Sequence, residues 1–418
     1  MTATITSPRR PGLRALVAGN VAARLGSLVA LAVGTVLVAR VGGATGVGAF
    51  TLLRVLPGLA GVLAAAGLPG AAPYFLAARK ADARVRPTLV CLTVLGATAG
   101  ALGWLALTPL LHSVFFRPWG TALVVAAGVA VFTQLFVAVG KALLQGVEDL
   151  RGANGAIVAE EAAFLPLYLA VLPFDRGVAG MLAALVAADL VVAAGIAERL
   201  RRAGFFRGWR RPDYRLGREI CAYGMRGQLG GLLSLVNLRL DVAILGALAG
   251  PAVLGVYAVA SKYAELLRLP GLAVTYVLYP VFARRRATDV RARTKALLPA
   301  ALWVNLAVAV PLALVAGLVL PLVYGKEFGG AVLPSWILVA GLLGEGVAGL
   351  VTAYLYGIGR PGLNSLAMAA GVVVTVAGDL ALIPSFGVVG AAVASAAAYA
   401  VTCATLLACF TAVGRRKQ

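Results

Sequence analysis

Arg226, Arg239, Asp241, Lys262, Glu265 and Arg268 fall inside two neighbouring apolar spans between Glu219 and Arg286, joined by a Gly/Pro turn. On the membrane-insertion scale a central Arg or Lys costs roughly 2.5 to 3.5 kcal/mol, so several on adjacent helices require a watered interior or a partner. Two earlier spans add Arg24 and Arg54, bringing the set to six cations and two anions. Lipid exposure of all six would cost on the order of 18 kcal/mol, more than a typical fold's stability. Guanidinium forks match phosphate oxygens two at a time and stay charged at any working pH, whereas a cation carrier would present carboxylates. The chemistry expected is recognition of an anionic, phosphate-bearing substrate by Arg24, Arg54, Arg226, Lys262, Glu265 and Arg268.

Local spacing offers some of these charges partners. Lys262 with Glu265, and Glu265 with Arg268, are three residues apart and share a helical face. Arg239 and Asp241 are two apart and would meet only with local distortion; they are expected to form a structural pair holding the halves of the protein together. Arg226 lies close enough to a span end to snorkel instead. Further acids, Glu160, Glu161, Asp189, Glu345 and Asp379, are candidates for proton or sodium coupling, with helix-packing hydrogen bonds as the competing role.

The elements that position these charges are membrane spans. Hydrophobic residues make up 61% of the chain and charged residues only 13%, and apolar runs repeatedly exceed the roughly 20 residues that cross a bilayer. A net charge of +21 would suggest nucleic acid in a soluble protein; here the basic residues sit between apolar spans, which excludes that reading. The pattern predicts an all-α polytopic membrane protein of twelve spans. Their cores fall near 14–40, 46–76, 87–111, 119–146, 153–173, 177–197, 220–247, 252–281, 296–324, 330–357, 363–384 and 387–411.

Residues 1–13 read as a basic cytoplasmic tail rather than a signal peptide. An N-lobe over 14–197, a basic linker over 198–219, a C-lobe over 220–411 and a basic tail over 412–418 complete the division. Alternate connections carry Arg79, Lys80, Arg84 and Arg86, then Lys141 and Arg151, then Arg199 to Arg218, then Arg284 to Lys295, then Arg360. The intervening connections hold Arg40, Arg117, Arg176 and Lys326. The positive-inside rule places both termini in the cytoplasm. The linker is expected to skim the anionic leaflet.

The halves resemble each other. A shift of 207 aligns Gly43, Gly48 and Phe50 with Gly250, Gly255 and Tyr257, and also Pro73, Phe75 and Arg79 with Pro280, Phe282 and Arg286. A shift of 210 aligns Gly152 and Asn154 with Gly362 and Asn364, and Gly177 and Gly180 with Gly387 and Gly390. Duplicated six-span units in the same orientation imply a pseudo-two-fold axis along the membrane normal, with a cleft between lobes. Cys91, Cys221, Cys403 and Cys409 show no CxxC spacing, and His112 has no second imidazole, so neither a metal nor any cofactor is expected.

The pattern Arg239-Leu-Asp241-Val-Ala-Ile-Leu-Gly246, then Gly255-Val-Tyr257 and a span ending Leu278-Tyr-Pro280, resembles the oligosaccharide flippases known as polysaccharide biosynthesis membrane proteins. These belong to the multidrug, oligosaccharidyl-lipid and polysaccharide exporter superfamily. The resemblance covers essentially the whole chain, including Gly48-Ala-Phe50, Gly146 and Asn154. It implies a cavity lined by helices one, two, seven and eight, and a polyprenyl-pyrophosphate-linked oligosaccharide flipped from the cytoplasmic to the outer leaflet of a bacterial cell membrane. Membrane lipids, and the glycosyltransferases and polymerase of the same pathway, are the implied partners. The lipid II flippases of the superfamily usually carry two more helices.

Other classes compete with this reading. A drug or cation antiporter of the same superfamily would favour a carboxylate in its first helix, where Arg24 stands. An unrelated twelve-helix facilitator would carry a charged Gly-Arg motif that Ala78-Arg-Lys-Ala-Asp-Ala-Arg84 lacks. A polysaccharide polymerase or ligase would need acid/base groups on a sizeable external loop, and the external connections offer only Asp175 and Glu327. The sequence contains no Gly-rich Lys loop for ATP, so a non-enzymatic carrier is expected.

Overall fold

The computed structural model describes residues 13–282 and 287–415, and these are helical with short connections. In chain order the helices are α1 (Leu13–Ala64), α2 (Leu68–Ala78), α3 (Val85–Val114), α4 (Thr121–Gly146), α5 (Leu150–Ala162), α6 (Phe164–Val171), α7 (Val178–Arg202), α8 (Tyr214–Ala264), α9 (Leu269–Phe282), α10 (Ala287–Tyr324), α11 (Val332–Gly341), α12 (Glu345–Gly357) and α13 (Pro361–Arg415). Tight 3-10 turns at Glu265–Arg268, Lys326–Ala331 and Leu342–Gly344 link neighbouring helices. Hydrocarbon offers no water to backbone groups, so apolar runs of this length close their hydrogen bonds internally as helices.

Nine segments among the described residues are long and apolar enough to cross a membrane, against the twelve expected. The difference lies in three helices that run on where the sequence suggested a loop. α1, α8 and α13 contain 52, 51 and 55 residues, each roughly 80 Å of helix against about 30 Å of hydrocarbon. Each bends at one glycine: Gly43 (φ 60°), Gly250 (φ 81°) and Gly387 (φ 52°). Positive φ in mid-helix is a conformation that a Cβ resists, so the break falls where the side chain is missing.

Asp149 and Asp213 start α5 and α8 by accepting hydrogen bonds from Gly152 N (2.9 Å) and Leu216 N (3.0 Å). The segment between α7 and α8 is pinned rather than loose. Arg86 donates to the carbonyls of Gly204 and Phe205, Arg84 pairs with Asp213 at 2.8 Å, and α8 already begins at Tyr214, inside the expected linker.

One apolar cluster lies within residues 65–220, another within 282–410, and a third joins the two halves through α1 and α8. The crossing of α1 and α8 depends on glycine. A Cβ on Gly48 would collide with the Pro251 carbonyl, and one on Gly255 with the Ala44 carbonyl. The turn that leads from α1 into α2 meets α8 again at Gly67 and Gly224, where a Cβ on either would enter the other's backbone. Of the residues aligned at the 207 shift, Arg286 lies outside the described residues.

Candidate functional site

Between the two halves, α1, α5 and α8 enclose a cavity of about 220 Å³ whose polar lining includes Thr51, Arg54, Glu161, Arg239 and Lys262. Arg54 is six residues from the Gly48 crossing and thirteen from Gly67. At 1.5 Å rise per residue, that puts the cavity about 9 Å from one contact between the halves and about 15 Å from the end of α1 at Ala64, where the chain turns into the other.

The lining charges are held individually. Arg54 donates to Glu161 at 2.6 Å, while Glu161 Oε2 is buried without a hydrogen-bond partner among the described residues. The Arg54 guanidinium and the Lys262 ammonium both lie over the Phe50 ring, at 5.3 and 5.6 Å from its centroid. Lys262 also donates to Thr35 Oγ1 at 3.1 Å, and Thr35 in turn donates to the Leu31 carbonyl. Arg239 enters from α8 with no hydrogen bond or ion pair among the described residues. Three basic groups and a single carboxylate converge, an arrangement that favours an anion.

Contacts between the halves lie beyond both ends of the cavity. Beyond the Gly48 and Gly255 crossing, Arg40 donates to the carbonyls of Leu322 and Val323 (2.9 Å to the latter). At the end bearing the basic connections, below Gly67 and Gly224, Tyr74 stacks on Tyr223 with ring centroids 4.4 Å apart, and Arg79 pairs with Glu219 at 2.6 Å. Around that end Asp149 grips Arg199, and this pairing together with the Gly152 N–H holds the Asp149 carboxyl below its usual range. Asp213 is lowered likewise by the Leu216 N–H and Arg84.

Several expected partnerships differ from those the structure forms. Arg239 and Asp241 form no close ion pair among the described residues, although their charges interact. Two residues apart on a helix they point to nearly opposite sides, so Arg239 faces the cavity while Asp241 turns into the second half. There Asp241 accepts from Tyr257 Oη at 2.5 Å and Val242 N at 2.8 Å, and Tyr257 contacts Ser395 at 2.9 Å. Asp379 of α13 interacts electrostatically with Asp241, and both of its carboxylate oxygens are buried without a hydrogen-bond partner among the described residues.

Glu265 forms no hydrogen bond or close ion pair with Lys262 or Arg268 among the described residues, although its charge acts on both. The helix tightens at Glu265–Arg268, which re-phases the face; Arg268 instead donates to Glu345 at 3.1 Å and lies over the Tyr399 ring. Arg268 and Glu265 are outside the cavity lining. Arg24 is too, donating to Asn20, which bonds Asn154 at 3.0 Å. Arg226 is exposed at the basic end. Of the remaining acids, Glu160 pairs with Lys141 and Asp189 accepts from Thr133 at 2.7 Å. Thr35 and Ser395 are site members that sequence reasoning missed, since neutral residues inside apolar spans carry no signal until a partner faces them; Phe50 and Tyr257 stand out in the sequence through the repeat and the resemblance, but not as site residues.

A family model described as polysaccharide biosynthesis protein matches residues 17–286. A probable low-salt glycan biosynthesis flippase, Agl15, of Haloferax volcanii is 23% identical over 196 residues; the match covers 46% of this chain and 42% of that relative's length. An inward-facing multidrug resistance transporter of the MATE family superposes with a TM-score of 0.73 at 18% identity, covering 97% of both chains. The lipid II flippase MurJ, in an inward closed conformation, gives 0.75 at 13% identity, covering 93% of this chain and 86% of that one.

Proposed function

Because the chain belongs to the polysaccharide biosynthesis protein family, we propose that it is an alternating-access flippase. It carries a polyprenyl-pyrophosphate-linked oligosaccharide from the cytoplasmic to the outer leaflet. The observation that carries this reading is the convergence of Arg54, Arg239 and Lys262 in one cavity between the halves of the chain.

Two six-helix lobes with twelve crossings account for the long helices: dividing α1, α8 and α13 at Gly43, Gly250 and Gly387 turns the nine apolar segments into twelve. The reciprocal contacts of Gly48 and Gly255 support a two-fold relation between the lobes. Basic connections set the orientation, with both termini on the cytoplasmic side of a cell membrane.

Transport makes and breaks no covalent bond, so the protein's task is electrostatic. A pyrophosphate headgroup entering hydrocarbon loses its hydration, and in the cavity guanidinium and ammonium donors replace the lost water. Arg239, with no hydrogen bond or close ion pair among the described residues to give up, receives the phosphate first. Arg54 and Lys262 then turn from Glu161 and Thr35 toward it, and the lipid tail stays in the bilayer. Parting of Tyr74 from Tyr223 and of Arg79 from Glu219 opens the cytoplasmic end; parting at the Gly48 and Gly255 crossing opens the other.

Asp241 and Asp379 supply the coupling site. Two neighbouring carboxylates buried in the second lobe require a proton or a monovalent cation, whose arrival and departure bias the rocking. Pathway glycosyltransferases and a polymerase would supply and consume the substrate. A drug or cation antiporter would share the fold, but its cationic cargo would meet three basic groups in the cavity. The test is reconstitution: purified protein in liposomes should move a labelled polyprenyl-pyrophosphate oligosaccharide between leaflets. Efflux of a dye cation without lipid movement would sink the flippase reading.

A further inference from the structure

The second half of the chain holds a larger cavity, separate from the basic one. A groove of about 470 Å³ runs between α9, α10 and α12. Val274, Leu278, Leu297, Ala301 and Leu350 form its apolar walls, and exposed Arg293 is the charged group in its lining. Asn305 closes the opposite end, with its amide nitrogen turned toward the Leu342 and Leu343 carbonyls of the wall behind.

Arg293 and Asn305 are twelve residues apart on α10, about 18 Å of helix rise. Half the hydrocarbon thickness of a bilayer is about 15 Å. Arg293 lies six residues into α10, whose start follows the basic connection, so the guanidinium sits at headgroup level while Asn305 comes near the midplane. The groove is therefore one leaflet deep, apolar along its length and cationic at its mouth.

We propose that this groove is a binding site for one acyl chain of an anionic glycerophospholipid in the leaflet on the basic face, with the lipid phosphate on Arg293. Depth selects the occupant. A polyprenyl chain is far longer than one leaflet, and the groove shares no lining residue with the basic cavity. A zwitterionic lipid has the chain, but its own cation offsets the attraction of Arg293 for its phosphate. The bound lipid would fill the side of α9, the helix that continues α8 beyond Lys262, and so support the wall of the transport cavity.

The experiment is native mass spectrometry of the full-length protein released from vesicles containing phosphatidylcholine and phosphatidylglycerol. One phosphatidylglycerol per protein should be retained in preference to phosphatidylcholine. Arg293→Gln should weaken that retention roughly fivefold, the scale expected for one surface cation on an anionic lipid. Ala300→Trp, placed at an exposed position on the groove rim, should expel the chain while the protein keeps its wild-type melting temperature. Equal retention of the two lipids, unchanged retention in Arg293→Gln and a well-folded Ala300→Trp, or displacement of phosphatidylglycerol by a polyprenyl phosphate would each overturn the assignment.

Discussion

Gly48 and Gly255, 207 residues apart in the chain, face each other's backbone where α1 crosses α8: a Cβ on Gly48 would strike the Pro251 carbonyl, and one on Gly255 the Ala44 carbonyl. Ala44 and Pro251 are themselves 207 apart, so the contact is reciprocal. Gly48→Ala and Gly255→Ala should therefore destabilise by similar amounts, about 1–3 kcal/mol each as overpacked sites do. Gly103→Ala, where a Cβ meets nothing within 4 Å, should be neutral or mildly stabilising. Thermal melts in detergent report all three.

Arg54 and Glu161 lie 107 residues apart in sequence and share a charge-assisted hydrogen bond worth about 1.5–3 kcal/mol. Arg54→Ala leaves both Glu161 oxygens without a hydrogen bond among the described residues and should lower both stability and flipping. Adding Glu161→Gln should restore stability but not flipping, because the phosphate donor is still missing. A double-mutant cycle read by melting and by transport separates the two effects.

How far the sequence anticipates this site can be judged from single residues. The glycine positions repeat at a fixed shift and so are readable in one dimension, as is the charge surplus in the paired spans. Facing is less accessible. Spacing of three made Lys262, Glu265 and Arg268 look like one face, until the 3-10 turn at Glu265–Arg268 rotated Arg268 onto Glu345. Arg239 and Asp241 could meet only with local distortion, since helix geometry separates residues two apart by about 200°, and α8 undergoes none there. Partners such as Glu161 for Arg54 come from a different helix, and no local pattern encodes them.

The basic-end closure should act as a latch rather than a staple. Tyr74 stacked on Tyr223 and exposed Arg79 paired with Glu219 are each worth about 1 kcal/mol or less, weak enough to part in each cycle. Arg79→Cys with Glu219→Cys, bridged by a bifunctional thiol cross-linker that a reductant cleaves, should stop flipping, with activity returning on reduction. Undiminished flipping in the cross-linked pair would remove this contact from the cycle.

Asp149 gives the protein an acid-side dependence. Its carboxyl is held low by Arg199 and the Gly152 N–H, so the stability it contributes is present above its unfolded value and is lost as pH falls through the folded one. Asp149→Asn keeps the cap, since Asn caps as well as Asp, but removes the charge facing Arg199; it should cost up to about 1 kcal/mol near neutrality, the scale of a surface ion pair, and should flatten the acid limb of the melting curve. Melts from about pH 3 to about pH 7, which bracket the ordinary carboxylate value, measure both.

Asp379 should matter to coupling rather than to substrate affinity. Asp379→Asn removes the ionisable oxygen beside Asp241 and should abolish any dependence of flipping on a proton or sodium gradient, while leaving equilibrium binding of the lipid-linked sugar close to wild type. Gradient-driven transport at matched substrate occupancy distinguishes the two.

The most direct test of the basic cavity is equilibrium binding of a labelled polyprenyl-pyrophosphate oligosaccharide to wild type, to Arg239→Ala with Lys262→Ala, and to Arg24→Ala. Loss of two charge-assisted contacts should weaken binding on the order of a hundredfold or more in the double variant, whereas Arg24→Ala, outside the lining, should bind like wild type. Wild-type affinity in the double variant, or loss of binding confined to Arg24→Ala, would contradict the placement of the pyrophosphate between α1 and α8.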